Sequence, residues 1–114
     1  MIAVIFELEP GEGEAGRYFE LAAALRPALE AVDGFCSVER FESLSRPGRY
    51  LSLSFWRDEA AVEAWRSQAA HRVAQQAARD HVLARYRLRV AAVLRDYGHD
   101  VRDEAPADSR AALR

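Results

Sequence analysis

Lysine is absent from this chain. All sixteen basic residues are arginine, set against eighteen acids in 114 residues, for a formal net charge of −2. That balance gives no basic field of the kind nucleic acid requires, and arginine spread through a mixed surface needs no special partner. Cysteine is nearly as scarce: Cys36 stands alone, so no internal disulfide forms and no cluster has zinc-ligand spacing. Long apolar runs are missing too. The start, Met1 to Phe6, is apolar for a few residues and reaches Glu7 at once, with no basic lead and no stretch long enough to span a membrane. The expectation is a reduced, cytoplasmic protein with neither a membrane nor a nucleic-acid partner. What remains is ordinary globular material: half the residues are apolar and 30% charged, in one domain's length.

Periodicity divides the chain clearly. Ile2 to Glu9 is short and rich in apolar β-formers, and Pro10-Gly11 stops it, which reads as a strand. Tyr18, Leu21, Ala22, Leu25, Leu29 and Val32 then recur at helical spacing, with Asp33-Gly34 as the stop. Phe35 to Glu42 is a second strand of imperfect alternation, and Ser45-Arg46-Pro47-Gly48 a turn. In the third strand Leu51, Leu53 and Phe55 point one way, and Tyr50, Ser52, Ser54 and Trp56 the other. Asp58 is placed to cap a helix carrying Val62 and Trp65. Helical character is expected to continue, after a break near Ser67, through His71, Ala74, Ala78 and Val82. A last strand alternates Tyr86, Leu88, Val90, Ala92 and Leu94 with arginines, and a polar, loosely ordered tail begins at Gly98.

Strand, helix, strand, strand, helix, strand is the split βαβ plan, so the fold class is α+β with a ferredoxin-like βαββαβ antiparallel sheet. The domain spans residues 1–97, and the tail 98–114. Helices packed on one sheet face leave the other bare. The Tyr50–Trp56 side of the third strand, with its two rings, is better buried than wet. The simplest cover is a second copy, sheet against sheet, giving a homodimer.

The run Tyr50-Leu51-Ser52-Leu53-Ser54-Phe55-Trp56-Arg57-Asp58-Glu59-Ala60-Ala61-Val62-Glu63-Ala64-Trp65, with His71 six residues on and then Tyr86-Arg87-Leu88-Arg89-Val90, resembles the antibiotic biosynthesis monooxygenase domain. The resemblance covers roughly residues 1–97. It implies a dimeric α/β barrel with a pocket between helices and sheet in each subunit. It further implies a monooxygenase acting on a small aromatic, phenol- or quinol-like molecule without metal or flavin, while one branch of the family binds and degrades haem. The quinone-forming branch carries an Asn one helical turn before the Trp, where this chain has Ala61, and a Tyr where it has His71. The haem-degrading branch has an Asn on its first strand, where this chain offers Glu7.

Within that frame the candidate catalytic residues are His71 and Trp65. An imidazole with an ordinary pKa near 6.5 is the natural proton carrier at neutral pH, and Trp65 supplies an aromatic wall. Ser52 and Ser54 are candidate hydrogen-bond donors to a developing oxyanion, and Trp56 and Phe55 candidate substrate contacts. No metal site is expected. Haem ligated by His71, and a non-catalytic small-molecule-binding dimer, are the competing readings. Cys36 reads as an apolar filler, His81 and His99 as solvent-facing, and Glu7 as the wet side of a strand end.

Overall fold

A computed structural model describes residues 1–68, 72, 75, 76 and 78–112. The elements are β1 (Ile2–Pro10), α1 (Ala15–Glu30), β2 (Phe35–Glu42), β3 (Tyr50–Trp56), α2 (Glu59–Arg66), a π-helical turn (Ala78–Val82), β4 (Leu83–Ala92) and α3 (Ala107–Ala112). The four strands form one sheet in the order β2-β3-β1-β4, and every neighbouring pair is antiparallel. This is the ferredoxin-like split βαβ arrangement. α3 is a short helix within the segment expected to be loosely ordered.

The register fixes which side chains share a face. Ile2 lies opposite Trp56 and Ala92, Val4 opposite Ser54 and Val90, Phe6 opposite Ser52 and Leu88, and Leu8 opposite Tyr50 and Tyr86. Since successive side chains alternate, all of these point to one face, and Ala3, Ile5, Glu7, Leu51, Leu53 and Phe55 to the other. α1 and α2 cover the first face. Leu29, Val32, Trp56 and Ala61 form its buried cluster, with Val4, Phe35, Val38, Val62 and Trp65 packed around them. Trp56 is 2% exposed, stands edge-on to the Phe35 ring at 5.2 Å, and donates its indole N–H to Ser54 Oγ at 2.9 Å.

Three expectations need correction here. The serine-and-tryptophan side of β3 is the helix-covered side, and the bare face is the one carrying Leu51, Leu53 and Phe55. Both sides of β3 bear a large ring, so alternation alone separates the faces without saying which one the helices choose. Glu7, expected to be wet, is a half-buried ion-pair centre on the bare face: Arg49 reaches it at 2.6 Å and Arg89 at 3.1 Å. The Arg49 hydrogen bond, with Arg89 beside it, holds the Glu7 carboxyl below its usual range. Cys36 is exposed rather than a core filler.

The α1–β2 turn is set by Gly34, whose φ of +92° suits glycine. A Cβ there would stand 2.8 Å from that of Ala61, so the turn packs directly on α2. α2 is capped as its sequence implies: Asp58 accepts from the Ala61 N–H at 2.9 Å. That bond and the Arg57 guanidinium lower the Asp58 pKa. A carboxylate whose folded pKa is depressed stabilises the fold above its unfolded pKa, and that contribution is lost as pH falls through the folded value. Thermal melts followed from neutral to acid pH should therefore show Asp58→Ala melting lower than wild type at pH 7. Asp58→Asn keeps the cap and should retain most of that difference, with less loss on acidification. Equal melting of Asp58→Ala and wild type would contradict this role of the cap.

Candidate functional site

The covered sheet face and the helices enclose a cavity of about 400 Å³. Its floor is a set of cross-strand rows. One row runs Arg40, Ser52, Phe6, Leu88, and the next Val38, Ser54, Val4, Val90. Trp56 closes one end and Tyr86 lines the other, its ring 5.8 Å from Phe6. α1 supplies the roof through Tyr18, Leu21, Ala22, Leu25 and Leu29, the stripe its sequence spacing marks. α2 adds Val62, Trp65 and Arg66, and Gln75, Arg79, Val82 and Leu83 line the remaining side. The floor lies open toward the β4 edge of the sheet, where Tyr86 is 66% and Leu88 51% exposed.

Ser52, Ser54, Trp56 and Trp65 all line this cavity. Phe55 does not: it pairs across to Ala3 on the opposite sheet face, so its position as a substrate contact is withdrawn. Its odd place in the β3 alternation turns it away from the helices. His71 lies outside the described residues, between Arg66 and Gln75, which both border the cavity. Ala61 sits 3% exposed against Gly34 and is not among the described residues that line the cavity.

Arg40, Tyr18 and Tyr86 were not among the candidate site residues read from the sequence. Arg40 Nε donates to Tyr18 Oη at 3.4 Å. β2 conceals this arginine because its register shifts between Phe35 and Ser37, which puts Phe35, Val38 and Arg40 on the same face despite their uneven spacing. Among the described lining residues there is no histidine, cysteine or methionine to ligate a haem iron. The described residues hold no group of three or more His, Cys, Asp or Glu placed for a metal ion. No described helix is long and apolar enough to cross a membrane. A shallower depression of about 580 Å³ lies beside the β2–β3 turn, where Glu7 and Arg49 already satisfy one another.

The model of the antibiotic biosynthesis monooxygenase family matches residues 1–77. The chain belongs to that family. Over 93 residues, or 82% of its length, it is 50% identical to a protein of Pyricularia oryzae named jasmonate monooxygenase, and it spans 43% of that relative. Solved structures agree on the fold. A protein of Deinococcus radiodurans named for the same family has a TM-score of 0.77 at 17% identity, covering 87% of this chain and 98% of that one. A protein of Mycobacterium tuberculosis gives 0.73 at 22% identity, covering 85% and 98% respectively.

Proposed function

We propose that this chain is a monooxygenase that oxidises a small ring-bearing molecule within the cavity under α1 and α2, using no metal or flavin. The observation that carries this reading is the cavity itself: largely apolar, floored by a few hydroxyls, and walled by Trp65 in a member of a monooxygenase family. A ring methylene activated by a neighbouring phenol can be oxidised by dioxygen alone. The methylene loses both hydrogens and becomes a carbonyl, and dioxygen gives one atom to that carbonyl and the other to water. The chemistry requires that the phenol lose its proton, because the phenolate is electron-rich enough to reduce dioxygen. The protein must then receive that proton, exclude water and hold the developing oxyanion.

Ser52 and Ser54 point from the sheet into the cavity, although Ser54 already accepts from Trp56, which leaves Ser52 the better oxyanion donor. No carboxylate and no histidine lines the cavity among the described residues. The proton role therefore goes to His71, on its spacing from Trp65 alone. Trp65, packed against the buried cluster, is a wall rather than a proton carrier. Oxygen consumption by the chain, without added metal or flavin, is expected with anthrone- or hydroquinone-like substrates. A protein that binds such molecules but consumes no oxygen with any of them would be the non-catalytic binding dimer instead.

The bare face of the sheet supports a homodimer. It presents half-buried Ile5, Leu51, Leu53 and Phe55 and an exposed Phe41, an apolar stripe on the side away from α1 and α2, with the Glu7–Arg49–Arg89 cluster beside it. Sedimentation at micromolar concentration should give twice the chain mass, and Leu53→Glu should shift it to the monomer. A wild-type monomer under those conditions contradicts the pairing.

A further inference from the structure

Among the described residues the cavity lining contains three arginines, Arg40, Arg66 and Arg79, and no aspartate or glutamate. Elsewhere the chain pairs its arginines readily: Arg26 with Glu30, Arg49 and Arg89 with Glu7, and Arg57 with Asp33 and Asp58. Among the described residues none of the three cavity arginines has a carboxylate partner. Arg66, in the last turn of α2, and Arg79, in the π-helical turn, are exposed at the rim, where solvent satisfies a guanidinium cheaply. Arg40 is different. It is half-buried on the floor, next to Ser52 in the register, and its Nε is turned to the Tyr18 hydroxyl. That leaves its two terminal nitrogens, a planar pair of donors, beside an apolar space.

An unpaired guanidinium in a mostly apolar cavity is costly when the cavity holds only water, and its cost is relieved by an anion that brings its own apolar body. We propose that the ligand of this cavity is a carboxylic acid on a small apolar ring skeleton, with Arg40 binding the carboxylate beside Ser52 and Arg66 and Arg79 drawing the anion to the mouth. The inference deepens the oxygenase reading by naming its substrate class and rests on that reading's cavity. A single half-buried fork matches a planar monoanion, and the apolar rows Phe6–Leu88 and Val4–Val90 receive the ring. Tyr18 orients the guanidinium from α1.

The test is binding of anthracene carboxylate against its methyl ester, at neutral pH, followed by ligand fluorescence. Wild type is expected to bind the acid about tenfold or more tightly than the ester, the scale of a charge-assisted hydrogen bond. Arg40→Met keeps the aliphatic stem and removes the charge, so acid affinity should fall to that of the ester while ester affinity holds. Arg40→Lys should keep part of the preference, and it decides the matter should the Met variant fail to fold. Equal binding of acid and ester by wild type, or an unchanged preference in Arg40→Met, overturns the proposal. The outcome is separable from turnover. Acid preference without oxygen consumption sustains the carboxylate site and sinks the oxygenase reading, whereas oxygen consumption with neutral substrates and no acid preference does the reverse.

Discussion

Trp56→Ala is expected to cost about 3–5 kcal/mol of folding stability, the range for truncating a buried tryptophan. The indole is 2% exposed, lies edge-on to Phe35, and belongs to the cluster with Leu29, Val32 and Ala61 that joins both helices to the sheet. Truncation leaves a void among those residues and orphans the Ser54 hydroxyl, now the acceptor of the indole N–H. Against a domain stability of about 5–15 kcal/mol the loss brings the chain near its unfolding threshold. Trp56→Phe keeps the ring and loses the hydrogen bond, so it should cost far less. Urea denaturation of the three proteins checks the order, and a Trp56→Ala midpoint close to wild type would show that this cluster does not hold the layers together.

His71→Ala is the second large effect. A group that takes the substrate's proton acts as the barrier is crossed, so its removal should lower kcat and kcat/KM together by about 10² to 10⁴-fold, with substrate binding nearly unchanged. Trp65→Phe retains an aromatic wall and should chiefly raise KM. The two variants separate the roles, because a residue that only packs would shift stability or KM without the joint fall. If His71→Ala turns over like wild type, the proton leaves by another route, and the Tyr18 and Tyr86 hydroxyls bordering the cavity are the groups to substitute next.

Much of this fold is legible in the sequence because local signals agree with the tertiary solution. β3 alternates cleanly and Asp58 caps α2 where the chain leaves the strand. The α1 stripe from Tyr18 to Leu29 is the cavity roof itself. Three features escaped for physical reasons. Phe55 and Trp56 are large rings on opposite faces of one strand, so hydrophobicity could not decide which face the helices take. Arg40 is hidden by the β2 register shift, since a bulge moves a side chain to a face that strict alternation denies it. Glu7 looked like a strand-end acid because its partners, Arg49 and Arg89, come from 42 and 82 residues away. Long-range ion pairs leave no trace in a local pattern.

Isotopic labelling under oxygen-18 gas tests the central claim most directly. The chain, treated with chelator and freed of flavin, is given an anthrone bearing a neighbouring phenol, and the product is weighed by mass spectrometry. The account predicts one labelled oxygen atom in each product molecule, the second atom of dioxygen leaving as water. An unlabelled product, or turnover that vanishes with the metal and returns only when metal is restored, contradicts it.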